Sequence, residues 1–256
     1  MPDDVVVTLL GTGDAFGSGG RLQTCFHVAA AGAGLLIDCG ASVCIAMKRH
    51  GVGLDAVDAV LISHFHADHF AGLPFLLLEA RIHRRSKPLI VAGPEGIEDR
   101  VAGAMEVLFP GAGKAVPFPL RYVEYHPHDF VRVGPARVGA WPVRHAPATS
   151  PHALRVEVGG RIVAFSGDTA WTDALMDAAR DADLFLCEVS SLEPRGGIHL
   201  DFATLLDHRS AIECRRMVIT HMGPDVLAAA QRVAAALDAI PADDGLELRI
   251  CDDPRP

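Results

Sequence analysis

The sequence lacks any apolar stretch long enough to cross a membrane. A helix that spans the hydrocarbon core takes about 18–20 consecutive apolar residues, and no run in these 256 residues approaches that length. The basic segment of a secretory signal peptide is also missing, because Met1-Pro2-Asp3-Asp4 leads directly into a strand pattern. These absences predict a protein with no membrane association and a cytoplasmic location.

Paired cysteines are missing as well. The six cysteines are scattered and include no C-x-x-C pair, so a disulfide framework is not indicated in a chain of this size without a secretion signal. We expect most of them to be small buried side chains. They are Cys25, Cys39, Cys44, Cys187, Cys214 and Cys251.

Positive charge is scarce relative to negative charge. The chain has 23 Lys and Arg against 32 Asp and Glu, a net charge of −9. Because phosphate contacts dominate affinity for nucleic acids, this balance argues against a broad nucleic-acid surface. It leaves room for a small phosphorylated substrate in a locally positive, metal-filled pocket. The 50% hydrophobic content excludes a disordered protein, and the absence of a linker predicts one domain over residues 1–256.

Apolar strand patterns alternate with helix patterns along the whole chain. Mixed strands followed by strand–helix units occur in both halves, which suggests an internal pseudo-repeat. This rhythm predicts an α/β (α+β) protein in which two sheets pack face to face and helices lie outside. Near the end, residues 224–239 form an Ala-rich segment that predicts one long helix.

The most informative stretch follows the apolar strand pattern at 59–62. His64, His66, Asp68 and His69 fall within six consecutive positions. Imidazole and carboxylate groups suit zinc and related divalent ions, and loops at the carboxyl ends of strands are where α/β proteins bind ligands. A solvated loop that carries histidines by chance is the alternative, and the density of ligand-type side chains disfavours it.

Three later positions place a ligand-type side chain at the end of an apolar strand pattern. They are His145, Asp168 in Gly-Asp-Thr, and His221 in Thr-His. Taken singly, each has an ordinary interpretation as a surface histidine or a helix cap. Together with the earlier cluster, they favour a larger metal centre.

These motifs resemble those of the metallo-β-lactamase-fold hydrolases. The series H-x-H-x-D-H, then His, Gly-Asp-Thr and Thr-His is most similar to the ribonuclease Z-like phosphodiesterase branch, and Leu10-Gly11-Thr12-Gly13 matches the first strand and loop of that branch. The resemblance covers nearly the whole chain. It implies a four-layer αββα sandwich with the site at one edge of the two sheets.

The resemblance also implies a dinuclear metal centre. One metal ion is expected on a set of three histidines, the other on an aspartate and two histidines, and Asp168 is expected to bridge both. The first set is His64, His66 and His145, and the second is Asp68, His69 and His221. Zinc is the default for these ligands, and manganese or iron is the alternative.

Catalytic roles are implied for three residues. Asp68 would orient the attacking water as well as bind metal. His199 would protonate the leaving group, oriented by Glu188. The surrounding motifs are degenerate, because Cys187 stands where the branch has a histidine, and Leu-Asp follows His199.

One departure from the branch bears on the substrate. The tRNA-processing enzymes carry a long arm between the motif histidine and the bridging aspartate, whereas only residues 146–167 lie between His145 and Asp168. The preferred interpretation is therefore a phosphodiesterase for a cyclic nucleotide, a cyclic ribose phosphate or a similar diester. The alternatives are hydrolysis of a lactone, thioester or sulfate ester, tRNA 3′-end cleavage, and a mono-iron sulfur dioxygenase.

A homodimer is also possible. The segments Phe109–Pro119 and Arg81–Lys87 are candidates for the border of the pocket.

Overall fold

Two seven-stranded sheets form the centre of the computed structural model, which describes residues 4–30, 32–112 and 116–251. The first sheet consists of β1 (Val5–Gly11), β2 (Cys25–Ala30), β3 (Ala33–Ile37), β4 (Ala59–Leu61), β5 (Leu89–Gly93), β6 (Leu120–Glu124) and β14 (Glu247–Ile250). The second consists of β7 (Phe130–Val133), β8 (Ala136–Pro142), β9 (His152–Val158), β10 (Arg161–Phe165), β11 (Leu184–Glu188), β12 (Met217–Thr220) and β13 (Ala239–Pro241).

Helices cover the outer face of each sheet. Those next to the first sheet are α1 (Val43–Arg49), α2 (Ala67–Phe70), α3 (Leu73–Ile82) and α4 (Ile97–Leu108). Those next to the second are α5 (Ala174–Ala179), α6 (Phe202–His208), α7 (Pro224–Ala228) and α8 (Ala230–Ala236). Among the described residues, no helix has both the length and the apolar character that a bilayer crossing requires.

The strand order repeats between the two sheets. The first runs β14-β1-β2-β3-β4-β5-β6 and the second β13-β12-β11-β10-β9-β8-β7. In each sheet an antiparallel group precedes a parallel group along the chain: β3 to β6 pair in parallel, as do β10 to β13. This repeated strand order corresponds to the pseudo-repeat of strand and helix patterns in the two halves of the sequence.

Three apolar clusters separate the four layers. Side chains alternate along each strand, so Leu35 and Ile37 face the second sheet while Leu36 faces the helices. In the same way Leu184 and Leu186 of β11 face the first sheet and Phe185 faces α5 to α8. The two sheets share one cluster, and each sheet shares another with its helices, which gives the order αββα. The single domain over residues 1–256 stays a prediction, since the terminal residues lie outside the described part.

The final helical segment differs from its sequence-based prediction. In place of one helix over residues 224–239, the chain breaks at Ala229 (φ −116°, ψ 13°) and continues as α8. Residues 239–241 then form β13, which pairs in parallel with β12. Helix propensity is a weak preference that tertiary contacts override, and here pairing at the sheet edge and packing of Ile240 against the core determine the outcome.

Candidate metal centre

Ligand-type side chains from four strand ends meet at one edge of the sandwich. His64 follows β4, His145 follows β8, Asp168 follows β10 and His221 follows β12. The turn after β4 also enters α2, whose first residues carry Asp68 and His69. The structure therefore brings together every side chain that the motifs singled out, in two overlapping groups.

The first group consists of three histidines. The Nδ1 atom of His66 lies 3.2 Å from Nε2 of His64 and 2.9 Å from Nε2 of His145. Both Nε2 atoms also approach Oδ2 of Asp168, at 3.8 Å and 3.9 Å. Three ring nitrogens and a carboxylate oxygen thus face one small volume.

The second group contains Asp68, His69 and His221. The Oδ2 atom of Asp68 lies 3.3 Å from Nε2 of His69 and 3.2 Å from Nε2 of His221. Asp168 completes this group too, with Oδ1 3.3 Å from Nε2 of His69 and Oδ2 3.5 Å from Nε2 of His221. Asp168 therefore lies between the groups and presents an oxygen to each.

Two buried polar atoms at the boundary have no hydrogen-bond partner among the described residues. They are Nε2 of His69 and Oδ1 of Asp168. Leaving buried polar atoms unsatisfied is costly, and a cation would satisfy both at once. Imidazole nitrogen and carboxylate oxygen are the donors that zinc takes, so the residues present fit a divalent metal ion in each group.

Electrostatics keep the first group in the form that binds metal. Burial lowers the pKa of His66 and of His145, and burial together with neighbouring imidazoles holds the pKa of His64 well below its usual value. Burial alone would raise the pKa of Asp168, but His221 and His69 outweigh it and hold that pKa well below the usual value. Neutral imidazoles and an ionised carboxylate are the metal-binding states of these side chains.

A further ring of contacts orients the ligands. Asp38, buried at the end of β3, accepts hydrogen bonds from Nδ1 of His69 at 2.6 Å and from the backbone N and Oγ of Ser63, both at 2.7 Å. Ser63 Oγ lies 3.0 Å from Nδ1 of His64, and the carbonyl of Ile198 accepts from Nδ1 of His145 at 2.7 Å. With Nδ1 engaged, Nε2 of each imidazole is left to face the metal volume.

Sequence reasoning did not single out Asp38. A signal was available, because Asp38 ends the apolar run Leu35-Leu36-Ile37 and precedes Cys39-Gly40, the same arrangement that drew attention to His145, Asp168 and His221. In the structure its carboxylate accepts a hydrogen bond from Nδ1 of the predicted ligand His69, and it also lies in a cluster of ligand-type atoms with His64 and His69.

Beside the two groups lies a histidine–carboxylate pair. Nδ1 of His199 is 2.9 Å from Oε2 of the buried Glu188. Glu188 also accepts from the backbone N of Thr169 and of Leu200. Burial lowers the pKa of His199, but the hydrogen bond and charge of Glu188 outweigh it and raise this pKa to about 9. The ring stacks on His221 at 5.6 Å and packs edge-on against His145 at 4.7 Å.

The two candidate pocket borders lie in different surroundings. Arg85 of the Arg81–Lys87 segment binds backbone carbonyls of Leu54, Val57, Lys87 and Pro88, so it connects loops. The end of α4, just before Phe109, lines a groove of about 730 Å³ that also contains Phe65, a neighbour of two ligands. Residues 113–115 of Phe109–Pro119 lie outside the described part.

Comparison with known proteins bears on the fold of this chain and on its class. A ribonuclease Z from Agathobacter rectalis is 26% identical to this chain, over 87% of the chain and 89% of the relative. The metallo-β-lactamase-fold protein YhfI from Bacillus subtilis superposes with a TM-score of 0.79 at 20% identity, covering 96% of this chain and 99% of that one. A diphosphatase from the PhnP family superposes with a TM-score of 0.76 at 19% identity, covering 95% and 97%. At these identities the two structures establish the fold.

The fold, the site and these relatives define a metal-dependent hydrolase of the metallo-β-lactamase fold with ribonuclease Z-like features. Within that class, the chain belongs to the family described as the anti-Pycsar protein Apyc1, whose model matches residues 5–237. The match includes every residue of the two ligand groups and the Glu188–His199 pair. The fold and the class that the motifs implied are therefore confirmed.

Proposed function

We propose that this hydrolase is a phosphodiesterase that cleaves a small diester, such as a cyclic nucleotide or a cyclic ribose phosphate. The observation that carries the proposal is the His199–Glu188 pair, joined at 2.9 Å beside Asp168. A diester with an alkoxide leaving group needs a proton donor at the departing oxygen, and this pair supplies one next to the metal centre.

His64, His66 and His145 would hold one divalent ion, Asp68, His69 and His221 would hold a second, and Asp168 would contact both. When bound, such ions lower the pKa of a coordinated water and offset the charge that develops on phosphate oxygens. Zinc is the expected metal for these donors, with manganese or iron as the alternative.

His199 is proposed as the general acid. Its Nδ1 is held by Glu188, which leaves Nε2 as the atom that donates. The pKa of about 9 keeps the ring protonated at neutral pH, and the side chain is 27% exposed, so a substrate can reach it. Glu188 is proposed as a positioning residue, since its Oε2 is bonded to Nδ1 of the imidazole.

Asp68 is proposed to orient the attacking water in addition to binding metal. Its carboxylate lies between His69 and His221, with Oδ2 within 3.3 Å of an Nε2 atom of each. The hydrogen bond from His221 and the nearby His69 imidazole together outweigh burial and lower the pKa of Asp68. An ionised carboxylate can accept a proton from water and so direct the oxygen lone pair toward phosphorus.

A small substrate is favoured by what connects His145 to Asp168. The segment consists of a short 3-10 turn at Pro147–Thr149 followed by β9 and β10. Both strands belong to the second sheet, so nothing in this fully described segment projects as an arm. The net charge of −9 points the same way, since extended RNA is held mainly through phosphate contacts.

Ribonuclease Z-like cleavage of a tRNA 3′ end is the second candidate. The identity of 26% to a ribonuclease Z over most of both chains favours it. The two activities differ in substrate size and not in the reacting groups, so the same centre serves either one.

Metal analysis followed by a substrate panel tests these proposals. The purified protein is assayed for zinc, manganese and iron, then with 3′,5′-cyclic nucleotides, a cyclic ribose phosphate, a precursor tRNA, a lactone, a thioester and a sulfate ester. We expect divalent metal and turnover of a cyclic diester. Lactone, thioester or sulfate-ester hydrolysis without diester cleavage would overturn the first proposal, as would iron-dependent sulfur oxidation. Cleavage of precursor tRNA alone would favour the second.

A cytoplasmic location and a possible homodimer complete the proposal. All six cysteines are free thiols, five of them buried or half-buried, which suits a reducing compartment. Cell fractionation tests the location, and sedimentation of the purified protein tests the dimer.

A further inference from the structure

The loop after β1 carries a phenylalanine that is almost fully exposed. Phe16 is 95% accessible, the highest value among the exposed large apolar side chains of the described residues, with Val107 next at 80%. A phenylalanine stabilises a fold mainly through the apolar surface that it buries, and the exposed Phe16 makes no such contribution. Scattered apolar residues on a surface are ordinary, and the case for this one depends on how its loop is built.

The loop is fixed by internal hydrogen bonds. Asp14 accepts from the backbone N of Phe16 at 3.2 Å, and from the backbone N and Oγ of Ser18 at 2.9 Å and 2.6 Å. The carbonyl of Ala15 accepts from the side-chain amide of Gln23 at 3.1 Å. The backbone on both sides of Phe16 is therefore held, and its side chain is presented without the ordering cost that a loose loop would impose on binding.

One end of this loop contacts the second ligand group, and the other end lies against Gly40, next to the turn that carries Asp68. At one end, the carbonyl of Thr12 accepts from the backbone N of His221 at 3.1 Å. At the other, Gln23 packs against Gly40, and a Cβ on Gly40 would lie 2.7 Å from Cβ of Gln23 and 2.4 Å from the carbonyl of Asp68. The loop therefore begins beside His221 and ends beside the turn that carries Asp68.

We propose that Phe16 is a specificity-determining residue, whose ring stacks on the planar base of a nucleotide substrate bound at the metal centre. A rigid aromatic ring offers a sequence-tolerant stacking surface for any base. The proposal rests on the proposed function for the identity of the substrate. It adds a residue that contacts the organic part of the substrate and takes no part in the chemistry.

The test compares substrates with and without a base. A 3′,5′-cyclic nucleotide is paired with the 3′,5′-cyclic phosphate of methyl riboside, and both are assayed with the metal-loaded wild type, Phe16→Ala and Phe16→Tyr. For Phe16→Ala we expect KM for the nucleotide to rise about tenfold or more, with kcat and the base-free substrate unchanged. Phe16→Tyr should retain the wild-type KM. The control is Ile82→Ala, which removes a 66% exposed apolar side chain at the far end of α3.

Binding measurements separate this inference from the proposed function. The metal-loaded proteins are titrated calorimetrically with a nucleoside 5′-monophosphate and with ribose 5-phosphate. If the wild type cleaves no diester, the proposed function fails; loss of nucleotide affinity alone in Phe16→Ala would still support the stacking role. Equal losses for both ligands, no loss, or no binding by the wild type would overturn it. A change in sedimentation mass in Phe16→Ala would also overturn it, because Phe16 would then cover another copy of the chain.

Discussion

The carboxylate of Asp38 holds His69 through a hydrogen bond of 2.6 Å between Oδ2 and Nδ1. Both side chains are fully buried, and Asp38 adopts a φ of 58°, a left-handed conformation that is uncommon outside glycine. Its backbone N also bonds the carbonyl of Leu61 at the end of β4. The end of β4 and the turn that enters α2 are thus tied to the end of β3 through this residue.

Asp38→Asn should weaken metal binding at the second ligand group. The amide keeps the size of the side chain but removes the charge that orients His69 and raises its basicity. Losing such a partner typically costs about 10–100-fold in metal affinity. Competition with a chromophoric zinc chelator measures this, with Asp177→Asn as control, since the Asp177 side chain is 52% exposed on α5. Equal affinities in the two variants would mean that Asp38 does not support His69.

His199→Gln should slow cleavage to an extent that depends on whether the leaving group needs a proton. Without the protonated imidazole, a substrate with an alkoxide leaving group should lose about 10²–10⁴-fold in kcat. A p-nitrophenyl diester, whose leaving group departs without a proton, should lose far less, and metal content should stay constant. The exposed His83 supplies the control variant, His83→Gln. Equal losses on both substrates would rule out the general-acid role.

Asp168→Ala should remove metal and activity together, because Asp168 presents one oxygen to His69 and the other to His64, His145 and His221. We expect elemental analysis to show less than half the metal of the wild type and no measurable turnover. The comparison protein is His199→Gln, which leaves both ligand groups intact. Full metal content in Asp168→Ala would contradict a shared ligand.

Gly40→Ala should destabilise the turn that carries Asp68. An alanine Cβ would lie 2.4 Å from the Asp68 carbonyl, so the turn must shift, and overpacking of this kind costs about 1–3 kcal/mol. Urea unfolding measures the change. Gly103→Ala is the matched control, because it lies within α4 with open space around its Cβ. There we expect a gain of about 0.5–1 kcal/mol. A neutral Gly40→Ala would show that the turn tolerates the displacement.

His27 should make the stability of the metal-free protein depend on pH. Burial lowers the pKa of His27 in the folded state, so below the ordinary pKa of about 6.5 the unfolded chain binds a proton that the folded chain does not. Stability therefore falls as the pH drops from about 7 to 5, by at most about 1.4 kcal/mol per pH unit for one group. His27→Gln should flatten this slope in thermal unfolding curves with EDTA present.

The control for that experiment is His126→Gln, which changes an exposed histidine in the turn before β7. Its unfolding curves should follow those of the wild type across the same pH range. If His27→Gln and His126→Gln behave alike, the burial of His27 does not contribute to the pH dependence.

The secondary structure was predictable wherever one pattern dominated. The alternation of apolar strand patterns with helix patterns anticipated two sheets with helices outside. The segment at 224–239 was not predictable in the same way. Its composition favours a continuous helix. The break at Ala229 and the strand β13 depend instead on pairing with β12, which lies outside this segment of the sequence.

The sequence by itself determined the chemistry available to this protein. Ligand-type side chains at strand ends indicated a metal centre, because residue type and spacing are local properties. The resemblance of their motifs to a known family then implied the fold, the class and the two ligand groups. Tertiary structure alone decided how these groups are held. Asp38 reaches His69 across 31 positions, and the carbonyl of Ile198 reaches His145 across 53. The Phe16 loop meets His221 through contacts between opposite ends of the chain. Such contacts follow from the packing of the two sheets against each other. This packing cannot be predicted from any short stretch of the sequence.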